Sequence, residues 1–562
     1  MDYMNKYKTW LTDPCFDDAT KEELASIAGN EEEIRDRFYT DLRFGTGGLR
    51  GVMGAGTNRM NIYTIRKATQ GLCNYILETG GADKGVAIAF DSRHHSAQFA
   101  METALCLCAN HIPAWIFDDL RPTPELSFAV RDLGCIAGVV VTASHNPPQY
   151  NGYKVYWQDG GQITPGRAGE IIAQIDRIGS FSQVKTTTEE TAKQTGLLHV
   201  IDSSLDERYL ANVKAQMLHP ECARSKGAEL KIVYTPLHGT GCRLAPRILK
   251  GTGFPNVITV PEQASPDGDF PTVISPNPED KRAFKLALAL AEKENADLVL
   301  ATDPDADRLG VYVKDAEGCY RELTGNMSGM LLCEYELSQR KALGTLPANG
   351  AIVKTIVTGN MSKAAAAYYD VAVIETLTGF KFIGEKIKEF EENHSYEYVF
   401  GYEESYGCLI GTYARDKDAI VAVMALCEAA AYYASHGKTL WEQMLSLYER
   451  YGYYKEDLLS FTLPGENGAA QIAQKMQAIR TTPPTQIGGF KVTGITDYLL
   501  TEKTGLPSSN VLQFTLEDDG WCAVRPSGTE PKIKYYLGVK GTSLENADNR
   551  LQKVKEDPFF KI

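Results

Sequence analysis

The sequence lacks the features that mark membrane proteins and secreted proteins. No apolar run approaches the roughly eighteen residues that a membrane-spanning helix needs. The first residues contain no basic segment followed by an apolar core, so we expect no signal peptide. The 12 cysteines have no paired metal-binding spacings, which favours reduced and mostly buried thiols. Together these absences predict a cytoplasmic protein that makes no contact with a membrane.

An excess of positive charge is also absent. The chain has 58 Lys and Arg residues against 72 Asp and Glu residues, and its formal net charge is -14. Nucleic-acid-binding proteins normally present a basic face, so we expect no nucleic-acid partner. An anionic substrate would instead need a locally basic cleft. With 562 residues, the chain is too long for one hydrophobic core and should form roughly three to five domains.

Short apolar strands alternate with helical segments three times along the chain. The repeats cover residues 86–141, 231–301 and 352–400, and the second includes a long predicted helix over residues 279–294. Each repeat has the order β-α-β-α-β, which is typical of a parallel sheet covered by helices. After residue 450 the pattern changes to α+β. We therefore predict an α/β fold with three similar βαβαβ mixed-sheet domains and a C-terminal α+β domain around one central cleft. The first predicted domain covers residues 1–205 and begins with a helical segment. The other three predicted domains cover residues 206–318, 319–450 and 451–562.

The first repeat ends at a serine that could take part in chemistry. Ser144 follows a β-branched run, and Pro147 and Pro148 then prevent a helix or a continued strand. We therefore expect Ser144 on an exposed turn, with His145 and Lys154 nearby. Such a hydroxyl is a candidate phosphoryl or acyl acceptor. For this stretch alone, a turn whose serine bonds only its own backbone is the alternative.

Three aspartates follow the last strand of the second repeat. In an extended loop, Asp303, Asp305 and Asp307 point the same way, so three carboxylates converge and need a cation. Oxygen ligands favour Mg²⁺ or Ca²⁺ over zinc. A calcium EF-hand loop is excluded, because its required glycine and glutamate positions hold Arg308 and Lys314. An exposed acidic turn remains the alternative.

The third repeat leads into a glycine-framed loop that contains Glu403 and Ser405. A carboxylate beside a hydroxyl suits recognition of neighbouring sugar hydroxyls, and a solvated turn is the alternative. The stretch from Thr376 to Lys381, which includes Thr378 and Gly379, lies at another strand end, where it adds a hydroxyl pair and a cation. Lys417 lies in a charged stretch that is either part of a site or a charge cluster at the start of a helix.

The last domain contains a group of phosphate-binding side chains. Arg525, Ser527, Gly528 and Thr529 supply a guanidinium, two hydroxyls and a permissive turn, and Lys534 lies nearby. A simple Pro-Gly turn is the alternative. Phosphoryl transfer to and from the serine of the first repeat is the chemistry that uses all four motifs.

These four motifs occur in the order found in the α-D-phosphohexomutase family, the phosphoglucomutases and phosphomannomutases, and the chain resembles that family over nearly its whole length. The matching stretches are Thr142-Ala-Ser144-His-Asn-Pro147, Asp303-Pro-Asp305-Ala-Asp307-Arg308, Gly401-Tyr-Glu403-Glu404-Ser405 and Arg525-Pro-Ser527-Gly528-Thr529. The resemblance implies four domains around a central cleft. It also implies that Ser144 carries a phosphoryl group, with Mg²⁺ between this phosphate and Asp303, Asp305 and Asp307.

The resemblance implies further roles for the other predicted site residues. Glu403 and Ser405 would hold sugar hydroxyls, while Arg525, Ser527 and Thr529 would hold the phosphate that does not react. Arg50 and Lys154 match cations near the phosphoserine, and Lys154 is the expected proton shuttle, with Lys417 as the alternative. His145 and Arg308 complete the predicted catalytic set, and Thr378, Gly379 and Gly528 complete the substrate-binding set.

The implied reaction passes through a sugar bisphosphate, so glucose 1,6-bisphosphate is the expected activator. Tyr406-Gly407 follows the loop serine, which is closer to the phosphoglucomutases. Some phosphomannomutases have Gly-His at these two positions. We expect interconversion of glucose 1-phosphate and glucose 6-phosphate by a monomer or homodimer whose partners are small sugar phosphates.

Four alternatives to this function remain open. Two are a phosphomannomutase and a phosphopentomutase, and a third is a non-catalytic phosphosugar-binding protein. A serine hydrolase is a weaker alternative, because no Gly-x-Ser-x-Gly motif is present. We also expect that His145 cannot easily turn back toward its neighbour Ser144 to act as a base.

Overall fold

Three α/β units follow one another along the chain, and a fourth unit with an antiparallel sheet comes after them. The computed structural model describes residues 3–45, 47–463, 467–527 and 531–561. This arrangement confirms the predicted fold class. The predicted domain boundaries remain a prediction, and the elements are grouped here by the sheet to which they belong.

The first unit has a six-stranded mixed sheet covered by helices. Its helices are α1 (Tyr3–Thr12), α2 (Asp18–Ser26), α3 (Glu31–Phe38), α4 (Ile62–Thr79), α5 (Ser96–Ala109), α6 (Thr123–Asp132), α7 (Pro165–Asp176) and α8 (Glu189–Gln194). Its strands are β1 (Gly48–Val52), β2 (Val86–Phe90), β3 (Ala114–Phe117), β4 (Ala137–Val141), β5 (Tyr150–Trp157) and β6 (Leu198–Ile201). The sheet order is β1-β5-β4-β2-β3-β6, with β1 and β5 antiparallel to their neighbours. The N-terminal helices pack on this unit through a cluster that includes Trp10, Phe38 and Tyr63.

The second unit has a five-stranded sheet in the order β11-β10-β9-β7-β8. Its elements are α9 (Ser203–Lys214), α10 (Pro220–Lys226), β7 (Ile232–Thr235), α11 (Gly241–Thr252), β8 (Val257–Thr259), α12 (Lys285–Glu294), β9 (Leu298–Thr302), β10 (Leu309–Lys314) and β11 (Tyr320–Leu323). The helix predicted over 279–294 is shorter than expected. A 3₁₀ turn, Lys281–Phe284, precedes α12 because the Asp280 side chain caps that turn at the amide of Arg282.

The third unit has a four-stranded sheet in the order β13-β12-β14-β15. Its elements are α13 (Gly325–Ala342), β12 (Gly350–Thr355), α14 (Met361–Tyr369), β13 (Ala372–Thr376), α15 (Phe380–Asn393), β14 (Glu397–Glu403), β15 (Gly407–Ile410), α16 (Ala419–Ser435) and α17 (Leu440–Tyr451). Among the described residues, no single helix is long and apolar enough to cross a membrane. Helices α16 and α17 taken together have the length and composition of a membrane-spanning segment, but the chain bends by 85° between them.

The fourth unit has a six-stranded antiparallel sheet in the order β16-β21-β20-β19-β18-β17. Its elements are β16 (Tyr453–Thr462), α18 (Gly468–Thr481), β17 (Gln486–Ile487), β18 (Phe490–Asp497), α19 (Thr501–Thr504), β19 (Leu512–Leu516), β20 (Trp521–Pro526), β21 (Lys532–Gly541) and α20 (Leu544–Lys555). It packs on the third unit through an apolar cluster that includes Val357, Phe382, Trp521 and Tyr536.

The chemistry-bearing motifs lie where central strands end. Strand β4 ends three residues before Ser144, β9 ends immediately before Asp303, and β14 ends at Glu403. The carboxyl ends of strands are where open α/β sheets bind ligands. The fold therefore brings one motif from each of the first three units toward a common site.

Candidate active site

Ser144 lies on a strained turn that the second unit covers. Its φ is 51°, in the left-handed region that residues other than glycine rarely adopt. The prediction of an exposed turn is wrong, because only 3% of Ser144 is exposed. The loop after β9 packs against it, and Ser144 Oγ donates a hydrogen bond to Asp303 Oδ2 at 2.7 Å. The serine is therefore bonded to another unit as well as to its own turn.

His145 lies closer to the serine than expected. Its Nδ1 is 3.3 Å from Ser144 Oγ, so the expectation that this imidazole cannot turn back is wrong. Burial, followed by the charges of Arg308 and Arg50, holds the pKa of His145 well below its usual value. The imidazole is thus neutral at physiological pH.

A buried arginine that the sequence analysis missed holds the serine turn. The guanidinium of Arg93 donates to the carbonyl oxygens of Ser144 and Asn146, of Pro147 at 2.8 Å and of Tyr150 at 3.1 Å. Its own partner is Asp91, 3.3 Å away. These bonds hold the backbone of the turn from Ser144 to Tyr150. The sequence signal that could have pointed to this arginine is the pair of charged residues, Asp91 and Arg93, directly after β2.

The three predicted aspartates form a compact buried cluster. Asp303, Asp305 and Asp307 are each at most 1% exposed, and one oxygen from each lies within 4.8 Å of the others. The alternative of an exposed acidic turn is therefore excluded. Burial, together with the charges of Asp307 and Asp305, raises the pKa of Asp303 well above its usual value.

Two lysines from different units contact this cluster. Lys154 Nζ lies 2.8 Å from Asp305 Oδ2, and Lys417 Nζ lies 2.8 Å from Asp307 Oδ2. Burial disfavours the ammonium form of Lys154, but Asp305 and Asp307 outweigh burial and raise its pKa. Both lysines predicted for the site are therefore beside the aspartates, and Lys417 belongs to the site as well as preceding α16.

The cluster fits a hard divalent cation. Its donors are carboxylate oxygens, and Asp305 Oδ1 and Asp307 Oδ1 are buried without a hydrogen-bond partner among the described residues. Buried acceptors without partners are costly, and a cation would satisfy them. Oxygen-only donor sets favour magnesium or calcium.

Arg308 supplies positive charge on the other side of the cluster. Its Nε lies 3.9 Å from Asp303 Oδ2 and 3.8 Å from Asp307 Oδ1, and its guanidinium also pairs with Glu279. Burial opposes the charged form, but Glu279 and the aspartates raise the pKa of Arg308 further above its usual value. Glu279 is a second residue that the sequence analysis missed.

The hairpin between β14 and β15 brings Glu403 to the same site. Burial raises the pKa of Glu403 to about 7, opposed by the charges of Lys417 and Arg308. Its neighbour Glu404 instead accepts hydrogen bonds from Thr355 at 2.9 Å and from Thr358. Ser405 is half-buried in the turn that follows.

The predicted phosphate-binding group of the last unit faces the third unit. Burial, followed by the charge of Arg525, lowers the pKa of Lys381 to about 8, so these two cations are close. Within the part of the chain that the structure describes, Thr378 Oγ1, just before α15, is buried without a hydrogen-bond partner. Ser527 donates its amide hydrogen to the carbonyl oxygen of Lys532 at 2.7 Å.

The remaining predicted residues have differing surroundings. Arg50 is exposed on β1 and donates to Asn146 Oδ1 at 3.2 Å, so it reaches the serine turn. Gly379 has a φ of 114°, which suits glycine at the start of α15. Gly528 and Thr529 lie outside the described residues.

Three domain families match the chain in succession. Residues 41–181 match the family described as phosphoglucomutase/phosphomannomutase, alpha/beta/alpha domain I. Residues 207–318 match domain II of the same description, and residues 324–451 match domain III. Together these matches cover more than half of the chain.

Curated relatives and solved structures agree with the domain families. A phosphoglucomutase from Staphylococcus epidermidis is 37% identical over 537 residues, covering 94% of this chain and 95% of that protein. A phosphoglucomutase from Staphylococcus aureus is 37% identical over 530 residues, covering 92% and 93%. Among solved structures, the open form of the phosphoglucomutase parafusin from Paramecium has a TM-score of 0.70 at 18% identity, covering 92% of this chain and 97% of that one.

A phosphoglucomutase/phosphomannomutase family protein from Burkholderia thailandensis has a TM-score of 0.68 at 19% identity, covering 92% of this chain and 95% of that one. At these identities the two structures establish the fold alone. The domain families and the curated relatives go further: the chain belongs to the α-D-phosphohexomutase family and, within it, to the phosphoglucomutase branch.

Proposed function

We propose that this enzyme interconverts glucose 1-phosphate and glucose 6-phosphate through a phosphoserine at Ser144 and a sugar bisphosphate intermediate. The observation that carries the proposal is the hydrogen bond of 2.7 Å from Ser144 Oγ to Asp303, within a buried cluster of three carboxylates. An acceptor hydroxyl beside a cation-binding cluster is what phosphoryl transfer requires. The phosphoglucomutase names of the staphylococcal relatives support glucose phosphates as substrates.

Mg²⁺ is the cation that we assign to Asp303, Asp305 and Asp307, together with the phosphate on Ser144. When bound, Mg²⁺ neutralises negative charge on the transferring group and on the aspartates. The oxygen-only donor set supports this choice, as do the Asp305 and Asp307 oxygens that lack a hydrogen-bond partner in the described ranges.

The substrate would be held at two ends of the cleft. We assign Glu403 and Ser405 to the binding of sugar hydroxyls. We also assign Thr378 and Gly379 to substrate binding. We assign Arg525, Ser527, Gly528 and Thr529 to the phosphate that does not react. The pKa of Lys381, lowered by burial and by Arg525, supports a concentration of positive charge at this end. A phosphate dianion would relieve that repulsion.

In the first half-reaction, a sugar hydroxyl oxygen bonds to phosphorus while the bond from phosphorus to Ser144 Oγ breaks. The hydroxyl gives up one proton and Ser144 Oγ takes up one proton. We assign both transfers to Lys154, with Lys417 as the alternative. Asp305 and Asp307 raise the pKa of Lys154 against the effect of burial, so its ammonium holds a proton for the serine. It is then able to accept the proton that the sugar releases.

Neighbouring cations and the neutral imidazole would orient the phosphoserine. Arg50 contacts the serine turn through Asn146, and Arg308 lies beside Asp303 and Asp307. His145 Nδ1 is 3.3 Å from Ser144 Oγ. In the second half-reaction, the bisphosphate presents its other phosphate to Ser144, and the same bonds form and break in reverse.

Glucose 1,6-bisphosphate is the activator that we propose, because it would phosphorylate an unmodified Ser144. We further propose a monomer or homodimer in the cytoplasm whose partners are small sugar phosphates. All 12 cysteines are free thiols, which supports a reducing compartment.

The test is a comparison of kcat/KM for glucose 1-phosphate, mannose 1-phosphate and ribose 1-phosphate, each with and without glucose 1,6-bisphosphate. We expect the highest value for glucose 1-phosphate and a marked increase with the bisphosphate. A higher value for mannose or ribose phosphate would assign the chain to one of the other two mutase activities. Binding without turnover of any sugar would favour the non-catalytic alternative.

A further inference from the structure

A mixed group of metal-binding donors lies at the start of α10. His219, Glu221 and Cys222 each place one donor atom within 4.8 Å of the other two. His219 Nδ1 is 2.8 Å from Glu221 Oε1, and Cys222 Sγ is 3.8 Å from the same oxygen. The group therefore offers one nitrogen, one oxygen and one sulfur to a common point.

The other ring nitrogen of His219 is held by a neighbouring helix. Its Nε2 lies 3.1 Å from Gln339 Oε1 on α13, and Gln339 directs its amide nitrogen at Ser338 Oγ. A proton on Nε2 satisfies this contact and leaves the lone pair on Nδ1. Two acceptors, Nδ1 and a carboxylate oxygen, then face each other at 2.8 Å. A second ring proton, on Nδ1, satisfies this contact as an ion pair with Glu221, and a metal ion that replaces that proton satisfies both acceptors as well.

The ring of His219 is fixed by further contacts with the third unit. It stacks on Tyr432 with a centroid distance of 4.7 Å, and the His219 amide donates to Glu428 Oε1 at 2.5 Å, both residues being on α16. The imidazole is therefore ordered before any ion binds. An ordered ligand loses less entropy on binding a metal than a mobile one.

We propose that His219 Nδ1, a Glu221 carboxylate oxygen and Cys222 Sγ form a binding site for Zn²⁺. Nitrogen, oxygen and thiolate sulfur together suit zinc, whereas magnesium prefers oxygen alone. Binding releases the thiol proton of Cys222 and the ring proton of His219 Nδ1 to solvent as the metal–sulfur and metal–nitrogen bonds form. Three protein ligands leave one tetrahedral position open, and the Glu221 side chain is 60% exposed, so solvent reaches the site.

The site would join the second and third units. Its ligands precede or begin α10, while the residues that hold His219 lie on α13 and α16. The bound ion would therefore stabilise the packing of α10 against the third unit and take no part in phosphoryl transfer. It is independent of the function proposed above.

Co²⁺ provides a direct test, because cobalt thiolate bonds give a near-ultraviolet charge-transfer band and tetrahedral cobalt gives intense visible bands. The full-length enzyme is titrated with Co²⁺ in excess Mg²⁺, which occupies oxygen-only sites. We expect both sets of bands in the wild-type protein, and we expect Zn²⁺ to bleach them by competing for the same ligands. The aspartate cluster has no sulfur and cannot produce the charge-transfer band.

Matched variants assign the band to this site. We expect Cys222→Ser to lack the charge-transfer band, while Cys319→Ser, which changes an exposed cysteine elsewhere in the second unit, retains it. Gln339→Leu removes the group that holds His219 and should weaken Co²⁺ binding by about tenfold or more. Phosphoryl-transfer activity and circular dichroism confirm that each variant is folded. Absence of the band in the wild type, or its survival in Cys222→Ser, would overturn the proposal.

Discussion

At the scale of residues, the site depends on how one buried arginine holds a strained turn. Ser144 has a positive φ, which costs on the order of 1 kcal/mol or more for a residue with a side chain. Four carbonyl oxygens around this serine accept hydrogen bonds from Arg93. The planar guanidinium can meet several acceptors at once, which an ammonium group cannot do.

We therefore expect Arg93→Lys to lower kcat by about tenfold to a hundredfold, since misplacing a reacting group by about 1 Å has an effect of this size. KM should change less, because the contacts of Arg93 within the described part of the chain are with the serine turn and Asp91. Steady-state kinetics and thermal unfolding check the prediction. Arg208→Lys is the control, since Arg208 is 46% exposed and pairs with Asp132 outside the site. A wild-type kcat in Arg93→Lys would contradict this account of the turn.

Sequence reasoning identified the residues that carry distinctive chemistry but not those that support them. Ser144, Lys154 and the aspartates could be found because each lies in a local pattern. Arg93 could not, because the carbonyl oxygens that it binds lie more than fifty residues further along the chain. The burial of Ser144 was missed for the same reason: the loop that covers it belongs to another unit.

At the scale of elements, the β14–β15 hairpin and the segment before α16 fit together closely. Gly407 pairs with Glu403 across the hairpin. A Cβ on Gly407 would lie 2.3 Å from Lys417 Cδ, so only glycine lets the lysine stem pass. That stem carries the Lys417 ammonium to Asp307.

Gly407→Ala should therefore displace Lys417 from Asp307 without unfolding the unit. We expect kcat/KM to fall by about tenfold or more, because a charged contact in the buried site is lost. The comparison is Gly251→Ala on α11, where an added Cβ meets no atom of another described element within 4 Å. That control should keep full activity and gain up to about 1 kcal/mol in stability from helix propensity. Equal activity in the two variants would show that Lys417 is not constrained in this way.

Helix α13 contains a buried carboxylate that should make stability depend on pH. Burial raises the pKa of Glu336 from an ordinary value of 4.5 to about 7, although Arg340 opposes this shift. Below the ordinary value, Glu336 is protonated in both the folded and the unfolded chain, and there is no penalty. As pH rises through the folded pKa, the folded protein must hold a buried charge, so stability is lost.

Relative to wild type, Glu336→Gln should thus become more stable as pH rises from about 5 to about 8, by on the order of 3 kcal/mol. Thermal unfolding midpoints at the two pH values give the measurement. Glu392→Gln, at a position that is 67% exposed, should show no such trend. A difference between Glu336→Gln and wild type that does not vary with pH would rule out a buried titrating carboxylate.

The elements themselves were largely predictable. Apolar strands such as β2, β4 and β9 stand out because both faces are buried, which gives continuous hydrophobic runs. The break between the 3₁₀ turn at Lys281–Phe284 and α12 was missed, because a side-chain cap at Asp280 does not disturb the helical pattern. Antiparallel pairing of β1 with β5 was also missed, because it joins strands about a hundred residues apart.

At the scale of the whole molecule, the site forms only where several units meet. Thr123 in the first unit donates to Asp305 in the second at 3.0 Å, and Lys417 in the third reaches Asp307. Gln513 in the fourth unit donates to the carbonyl oxygen of Ile356 in the third at 3.0 Å. Contacts between units depend on three-dimensional packing, so no local pattern predicts them. The position of motifs at strand ends nevertheless predicted which of them would converge.

The most direct test of the account is the phosphorylation state of Ser144 during turnover. Intact-mass and peptide analysis follow the enzyme after glucose 1,6-bisphosphate treatment, then after addition of glucose 6-phosphate. We predict one phosphate on Ser144, its loss to the added sugar phosphate with matching formation of bisphosphate, and neither phosphate nor turnover in Ser144→Ala. Ser203→Ala, at an exposed serine, should behave as wild type. Turnover by Ser144→Ala, or a Ser144 phosphate that sugar phosphates never remove, would contradict the account.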